Sequence, residues 1–333
     1  MKVAINGFGR IGRLILRAFM ERNFSDLEIV AVNDLQSIDS AIYLLKYDSV
    51  HGRLENHVQK VSQNDAFAID GREFAYFSEK LPDKLPWNEL NIDLVLECTG
   101  TLKTKEECLS HLKAGAKKVL AACPVDDADN TIVYGVNHDS LDSRNDIIVS
   151  SASCTTNCLA HVVKAIHSEI KIKNGFATTI HSYTGDQRLV DMNHRDLRRS
   201  RAAACSMIPT STGATKTIEK IFSELRGKLS GLSIRVPTQN VSMIDFTFTT
   251  FKKVTEEDVR SAIIKYSNSV SQNIFAYTDE PLVSIDFNHS PCSAIVDLPL
   301  TKVVDETTGH VVAWYDNEWG FSNRMLETAK KMI

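Results

Sequence analysis

The sequence predicts an α/β chain in two parts: a doubly wound parallel sheet over the first half, then an α+β region on a mostly antiparallel sheet. Three observations carry this. A glycine-rich strand–turn–helix opens the chain, and short apolar runs alternate with helical patterns as far as residue 150. Beyond it the β-like runs lengthen and fewer helices separate them. At 333 residues the chain suits about two domains of ~100–200 residues each.

Taken in order, Lys2–Asn6 reads as a strand and is followed at once by Gly7-Phe8-Gly9-Arg10-Ile11-Gly12. The next helix places Ile11, Leu14, Ile15, Ala18 and Phe19 on one face, and a second apolar run, Leu27 to Val32, ends in Asn33-Asp34. This is the full βαβ setting that a G-x-G-x-x-G pattern needs to seat a dinucleotide, and it predicts a Rossmann-type fold. Gly7 permits the tight turn, Gly9 lets a pyrophosphate approach the backbone, Gly12 lets helix and strand pack, and Asp34 is placed for a ribose hydroxyl. An acid beside a 2′-phosphate would set like charges together, and Leu35-Gln36-Ser37 supplies no cation, so NAD is favoured over NADP.

Further strands are predicted at Leu94-Val95-Leu96, Val119-Leu120 and Ile132-Val133-Tyr134, with a helix opened by the capping box Thr104-Lys105-Glu106-Glu107. Cys98-Thr99-Gly100 ends a strand at the carboxyl edge, which makes Thr99 and Gly100 crevice walls. The predicted division is a cofactor-binding domain over 1–150 and a catalytic domain over 151–317. The amphipathic C-terminal helix, 318–333, carries Met325, Leu326, Ala329 and Met332 and is expected to pack back on the first domain.

The chemistry centres on Ser150-Ser151-Ala152-Ser153-Cys154-Thr155-Thr156-Asn157-Cys158. It lies between the strand-like run Ile147-Ile148-Val149 and an amphipathic helix carrying Leu159, Val162, Val163, Ile166 and Ile170. A helix N-terminus favours thiolate over thiol, so Cys154 is expected to have a lowered pKa and to act as a covalent nucleophile. Its base is expected in His181, which ends the run Ala177 to Ile180; His161 remains a rival, and it and His167, on the helix itself, read as surface or edge residues. Ser153, Thr155, Thr212 and Gly213 offer hydroxyls and N–H groups at two helix starts, which suits phosphate. Arg198-Arg199-Ser200-Arg201 and Arg235 offer guanidinium groups, and Arg235, inside an apolar run, calls for an anionic partner.

Seven cysteines without paired spacing indicate reduced thiols in a cytoplasmic protein. Cys98, Cys108 and Cys123 read as buried fillers, and no spacing indicates a metal. A net charge of −4 and a pI near 6.2 argue against nucleic acid or an anionic membrane as partner. No apolar run reaches the ~18 residues of a bilayer span, and the N-terminus enters a strand without a signal-peptide pattern.

Four segments together resemble phosphorylating glyceraldehyde-3-phosphate dehydrogenase: Ala4-Ile5-Asn6-Gly7-Phe8-Gly9-Arg10-Ile11-Gly12-Arg13, Leu45-Lys46-Tyr47-Asp48-Ser49-Val50-His51-Gly52, Ala152-Ser153-Cys154-Thr155-Thr156-Asn157-Cys158 and Trp314-Tyr315-Asp316-Asn317-Glu318-Trp319-Gly320. The resemblance implies Cys154 as nucleophile and His181 as base. It implies that Thr184 and Arg235 hold the C3 phosphate of glyceraldehyde 3-phosphate, and that Ser153, Thr155, Thr212, Gly213 and Arg199 surround inorganic phosphate. It assigns Asn317 to the nicotinamide carboxamide, Arg10 and Ile11 to the pyrophosphate through their N–H groups, and Lys80 to the adenosine end. It also implies a homotetramer, with the loop from Met192 to Ala204 near a neighbour's cofactor.

Several positions depart from the family pattern: Ser151 for asparagine, His161 for proline, Ala122-Cys123-Pro124 for Ser-Ala-Pro, and Lys80-Leu81-Pro82 for Arg-x-Pro. Asn193 stands where strictly NAD-dependent relatives tend to carry proline, which leaves NADP as a second cofactor to test. The alternatives are an erythrose-4-phosphate dehydrogenase-like activity, disfavoured because Thr184 suits a triose phosphate, and a non-catalytic binding protein on the same scaffold.

Overall fold

The computed structural model describes residues 1–22, 24–61 and 65–332. The chain divides into two compact units: Met1–Ser153 with the chain from Ser322, and Cys154–Phe321.

In the first unit, nine strands among the described residues form one sheet, in the spatial order Asn130–Thr131, Ile148–Ser150, Lys118–Ala121, Leu94–Glu97, Lys2–Asn6, Glu28–Asn33, Arg72–Phe77, Ala66–Ile69, Val58–Val61. The first seven run parallel and the last two pairings are antiparallel. The central strands are continuous apolar runs because helices cover both faces: Val3, Ala4, Ile5, Leu94, Val95 and Leu96 are all 0% exposed. Order reverses on either side of Lys2–Asn6, and at that switch the strand ends Asn6, Asn33 and Glu97 come together. The helix Arg10–Glu21 turns Leu14, Ile15 and Ala18 inward, and Lys105–Lys113 is opened by a capping box between Thr104 and Glu107.

Ile132-Val133-Tyr134 is not a strand. Pairing ends at Thr131, apart from Ile132 N–H to Ser150 O, and the chain then turns, with Asn137 Oδ1 capturing Val133 N–H at 2.8 Å. No strand is predicted from the sequence at Val58–Val61, Ala66–Ile69 or Arg72–Phe77, which pair antiparallel. At the other end of the unit, Lys330 pairs with Asp26 at 2.7 Å and Lys118 Nζ donates to Met332 O at 2.7 Å.

The second unit holds a seven-stranded sheet, ordered Ile208–Thr210, Leu229–Val236, Ile172–Ser182, Ser242–Thr250, Thr308–Tyr315, Ala294–Val304, Phe275–Thr278. Four of its six pairings are antiparallel; Leu229–Val236 with Ile172–Ser182, and Phe275–Thr278 with Ala294–Val304, are parallel. Helices Cys154–Glu169 and Glu256–Ser269 pack on each other and on the strand Ala294–Val304. That packing corrects the reading of His161 and His167 as surface residues, since they are 0% and 7% exposed. His161 Nδ1 meets Tyr266 Oη at 2.9 Å and its ring stacks on Phe275, so a histidine occupies proline's place by joining an aromatic cluster. The helix Ala214–Ile221 is followed by a short 3₁₀ turn, Ser223–Leu225. Among the described residues, no helix is long and apolar enough to cross a membrane.

Candidate functional site

The glycine-rich turn opens onto a cavity of about 520 Å³ whose walls include Asn6, Gly9, Asp34, Lys80 and Thr99. Each glycine has its own reason. Gly7 sits at φ +91, where a Cβ would lie 2.6 Å from Thr99 N. A Cβ on Gly12 would fall 2.1 Å from Gly7 O, whereas one on Gly9 meets nothing within 4 Å. Gly9 is therefore the open cradle and Gly12 the packing contact. Gly100, at φ +67, also faces open space. Asp34 is fixed at the rim: its Oδ2 accepts from Phe8 N–H at 2.6 Å and its Oδ1 from Gln36 N–H at 3.0 Å. Arg10 pairs its guanidinium with Asp48 at 2.6 Å, and it and Ile11 stand at the start of the helix. A deep, glycine-floored crevice with an acid at the end of its second strand fits a dinucleotide.

In the second unit, Cys154 is the first residue of the helix Cys154–Glu169. Ala152 precedes it in the left-handed region at φ 58, a conformation that costs a non-glycine residue about 1–2 kcal/mol. Cys154 Sγ lies 3.5 Å from His181 Nε2. His181 Nδ1 lies 2.7 Å from Ser182 O, which only accepts, and 3.2 Å from Arg235 Nη1, which only donates; the shorter contact puts the proton on Nδ1 and leaves the Nε2 lone pair to the sulfur. His181 is 4% exposed, and burial, reinforced by the Arg235 charge, pushes its pKa down to about 3.

The thiol departs from expectation. Burial raises the Cys154 pKa, against the pull of Arg235 and of the Thr155 hydroxyl and N–H groups. The helix start is present, but the desolvation of a tertiary pocket outweighs it. Burial thus favours the thiol on Cys154 and the neutral imidazole on His181.

Arg235 stands opposite His181 in the parallel pairing of their strands. Its Nη1 donates to Ser182 O at 3.1 Å and Thr184 Oγ1 at 3.3 Å. Among the described residues, no carboxylate neutralises it at hydrogen-bond distance and its buried Nε has no partner; an anion is the group it lacks. Arg199 is held by Asp186 through Nη1 and by Thr210 Oγ1 at 2.9 Å through Nε. Thr212 Oγ1 accepts from Ala214 N–H at 3.2 Å, and Gly213 caps the helix Ala214–Ile221. The Thr155 hydroxyl turns inward to Tyr315 Oη at 2.9 Å, so what it offers outward is its N–H. Ser153 is half-buried immediately before the helix.

Three residues gave no signal in the sequence. Tyr315 Oη bridges Thr155 and Thr179 at 2.9 Å each, and its ring meets that of His181 edge-on. Ser182 and Ser242 both donate to Asn317 Oδ1 at 2.9 Å, which turns the Asn317 amide nitrogen away from them. Each is a single hydroxyl in a strand-like run, and only the register of the sheet reveals what it touches. Among the described residues, no cluster of three or more His, Cys, Asp or Glu is placed to hold a metal.

Comparison with known proteins identifies a family. Residues 1–105 match the NAD binding domain of glyceraldehyde 3-phosphate dehydrogenase, and 153–317 match its C-terminal domain. The chain belongs to the glyceraldehyde-3-phosphate dehydrogenase family. It is similar to the glyceraldehyde-3-phosphate dehydrogenase of Xanthobacter flavus, 49% identical over 332 residues, 100% of this chain and 98% of that one. The enzyme of Cereibacter sphaeroides is 49% identical over 333 residues, with the same coverage. That of Geobacillus stearothermophilus is 46% identical over 329 residues, 99% and 97% of the two chains. The family consists of NAD-dependent oxidoreductases that oxidise glyceraldehyde 3-phosphate, and NAD is the cofactor of this chain.

Proposed function

We propose that this enzyme converts D-glyceraldehyde 3-phosphate and inorganic phosphate reversibly to 1,3-bisphosphoglycerate through a thioester on Cys154, in glycolysis and gluconeogenesis. The observation that carries the mechanism is the 3.5 Å approach of Cys154 Sγ to His181 Nε2. The sulfur attacks the aldehyde carbon as its proton passes to Nε2, and the proton returns to the new oxygen to complete the hemithioacetal. His181 then withdraws that hydroxyl proton as the carbon gives up its hydride. NAD, when bound, is the acceptor of that hydride. The Cys154 N–H and the protonated imidazole are the donors that face the developing oxyanion.

Thr184 and Arg235 are assigned to the C3 phosphate, with the partnerless Arg235 Nε as support. Ser153, Thr155, Thr212, Gly213 and Arg199 are assigned to the attacking phosphate, which releases the acyl group as an acyl phosphate. The thioester is what couples the two halves, because a free acid is not phosphorylated downhill. Gly7, Gly9, Arg10, Ile11, Gly12, Asp34, Lys80, Thr99 and Gly100 are assigned to the dinucleotide, and Asn317, fixed by Ser182 and Ser242, to its carboxamide. The assembly is a homotetramer in the cytoplasm. Thr184, whose hydroxyl suits the C3 phosphate of a triose, supports the triose over erythrose 4-phosphate. Sustained NADH formation from glyceraldehyde 3-phosphate is expected only with phosphate or arsenate present; turnover indifferent to both would overturn the phosphorylating assignment.

A further inference from the structure

A buried polar chain runs beneath the dinucleotide cavity and ends in residues of its wall. Trp87, Glu97 and His111 are each 0% exposed, and Asn6 and Asn33 are 3% and 4% exposed. Trp87 Nε1–H donates to His111 Nδ1 at 3.1 Å. An indole nitrogen is a donor only, so Nδ1 must be the acceptor and the imidazole carries its proton on Nε2. That Nε2–H donates to Glu97 Oε2 at 3.0 Å. Asn6 Nδ2 donates to the same oxygen at 2.6 Å, while Thr99 N–H donates to Oε1 at 2.8 Å and the Thr99 hydroxyl joins it there. Glu97 therefore receives four donors and gives none.

The direction of every later bond follows from that carboxylate. Asn6 must point its amide nitrogen at Glu97, so its Oδ1 faces outward and accepts from Asn33 Nδ2 at 2.8 Å. Asn33 Oδ1 in turn accepts from Glu79 N–H at 2.9 Å. Asn6, Asn33, Glu79 and Thr99 all line the cavity, and Trp87, Glu97 and His111 do not. We infer that His111 is a positioning residue for the dinucleotide, holding Asn6 and Thr99 in place through the Glu97 carboxylate. A half-satisfied buried carboxylate is costly, so loss of the His111 donor is expected to shift the carboxylate toward its remaining donors, Asn6 and Thr99, and to displace them from the cavity wall. The inference rests on the cofactor seat in this cavity and on nothing at Cys154.

Two amide substitutions separate the two bonds of the ring. In His111→Gln the amide nitrogen reaches the Nε2 position and keeps a donor on Glu97. In His111→Asn the amide oxygen reaches the Nδ1 position and keeps only the acceptor for Trp87. NAD binding is measured by calorimetry on the full-length enzyme, with thermal unfolding and the KM values for glyceraldehyde 3-phosphate and phosphate alongside. His111→Asn is expected to weaken NAD about tenfold, the equivalent of ~1.4 kcal/mol. The glutamine variant stays within about twofold of the parent, and both substrate KM values hold.

NAD affinity unchanged in both variants overturns the inference. So does an equal loss in both that tracks melting temperature or raises the substrate KM values as well, since that is a merely structural role. Should neither variant fold, Thr99→Val against Thr99→Ser decides: weakened NAD binding only in the valine chain upholds the wall contact, and parent-like binding in it overturns it. A parent enzyme that fails to bind NAD would instead remove the seat itself.

Discussion

The dinucleotide crevice and the cysteine site are built by opposite means. The crevice is made of backbone and of missing side chains: Gly9 leaves space open, while Gly7 and Gly12 let main chains meet at distances that no Cβ tolerates. The cysteine site is made of side chains whose protonation is set by burial: a raised thiol, a depressed imidazole and a guanidinium with an unpaired nitrogen. Steric substitutions should therefore break the first, and chemical ones the second.

The largest effect belongs to the chemical side. Cys154→Ser removes the sulfur proposed to carry the thioester, and kcat is expected to fall by about 10³-fold or more while NAD still binds. Cys158, four residues on and 0% exposed, should tolerate serine with most activity kept and a cost of about 1–3 kcal/mol for the buried hydroxyl. Equal loss in the two variants, read as initial rates of NADH formation, would mean the wrong thiol has been chosen.

On the steric side the two glycines should part company. Gly12→Ala places a Cβ 2.1 Å from Gly7 O, an overpacking that typically costs about 1–3 kcal/mol. At ~2–4 °C per kcal/mol, the melting temperature should drop by several degrees, and NAD affinity with it. Gly9→Ala meets nothing in the protein, so its melting temperature should match the parent and only NAD binding should weaken. A Gly9→Ala chain that binds NAD normally would show that the cofactor does not lie against this glycine.

What could be read from the sequence follows the same division. The crevice is local: strand, glycine turn, helix and Asp34 fall within one short βαβ unit, so spacing alone gives their roles. Cys154 was legible too, as a cysteine where a strand turns into a helix, but the sign of its pKa shift was not. Helix position is written in sequence, whereas the burial that outweighs it arises only when Cys154 packs against His181, Arg235 and Tyr315. The strand register that sets His181 opposite Arg235 and brings Ser242 to Asn317 has no local signature. The same holds for Ile132-Val133-Tyr134, whose strand-like composition lost to a side-chain capture by Asn137.

The cysteine site also imposes a pH dependence. His181 falls from 6.5 in the unfolded chain to about 3 in the folded one. Between those values the unfolded state binds the extra proton, so stability from this residue is fully present above pH 6.5 and is lost as pH falls toward about 3. His181→Asn should flatten that acid slope by a few kcal/mol across the window, and should lower kcat by about 10²–10⁴-fold as an absent base. Urea unfolding of parent and variant from neutral pH downward measures it. Parallel slopes would mean that the folded imidazole titrates as it does in the unfolded chain.

The smallest effect tests cofactor choice. The Asp34 carboxylate is pinned by Phe8 and Gln36 N–H groups, so it cannot swing away from a 2′-phosphate, and like-charge repulsion follows. Lys80 lines the same cavity but leaves the carboxylate unpaired with it. Asn193, in contrast, is exposed and contributes a backbone carbonyl to Arg188 Nε at 3.1 Å, a contact that proline would also make. Asp34→Ala is therefore expected to raise kcat/KM with NADP relative to NAD by about tenfold, one unit of ~1.4 kcal/mol, whereas Asn193→Pro should move the ratio by no more than about twofold. If the order reverses in a side-by-side titration, discrimination lies in the loop carrying Asn193 and not in the crevice, and the backbone-built site gives up its claim to specificity.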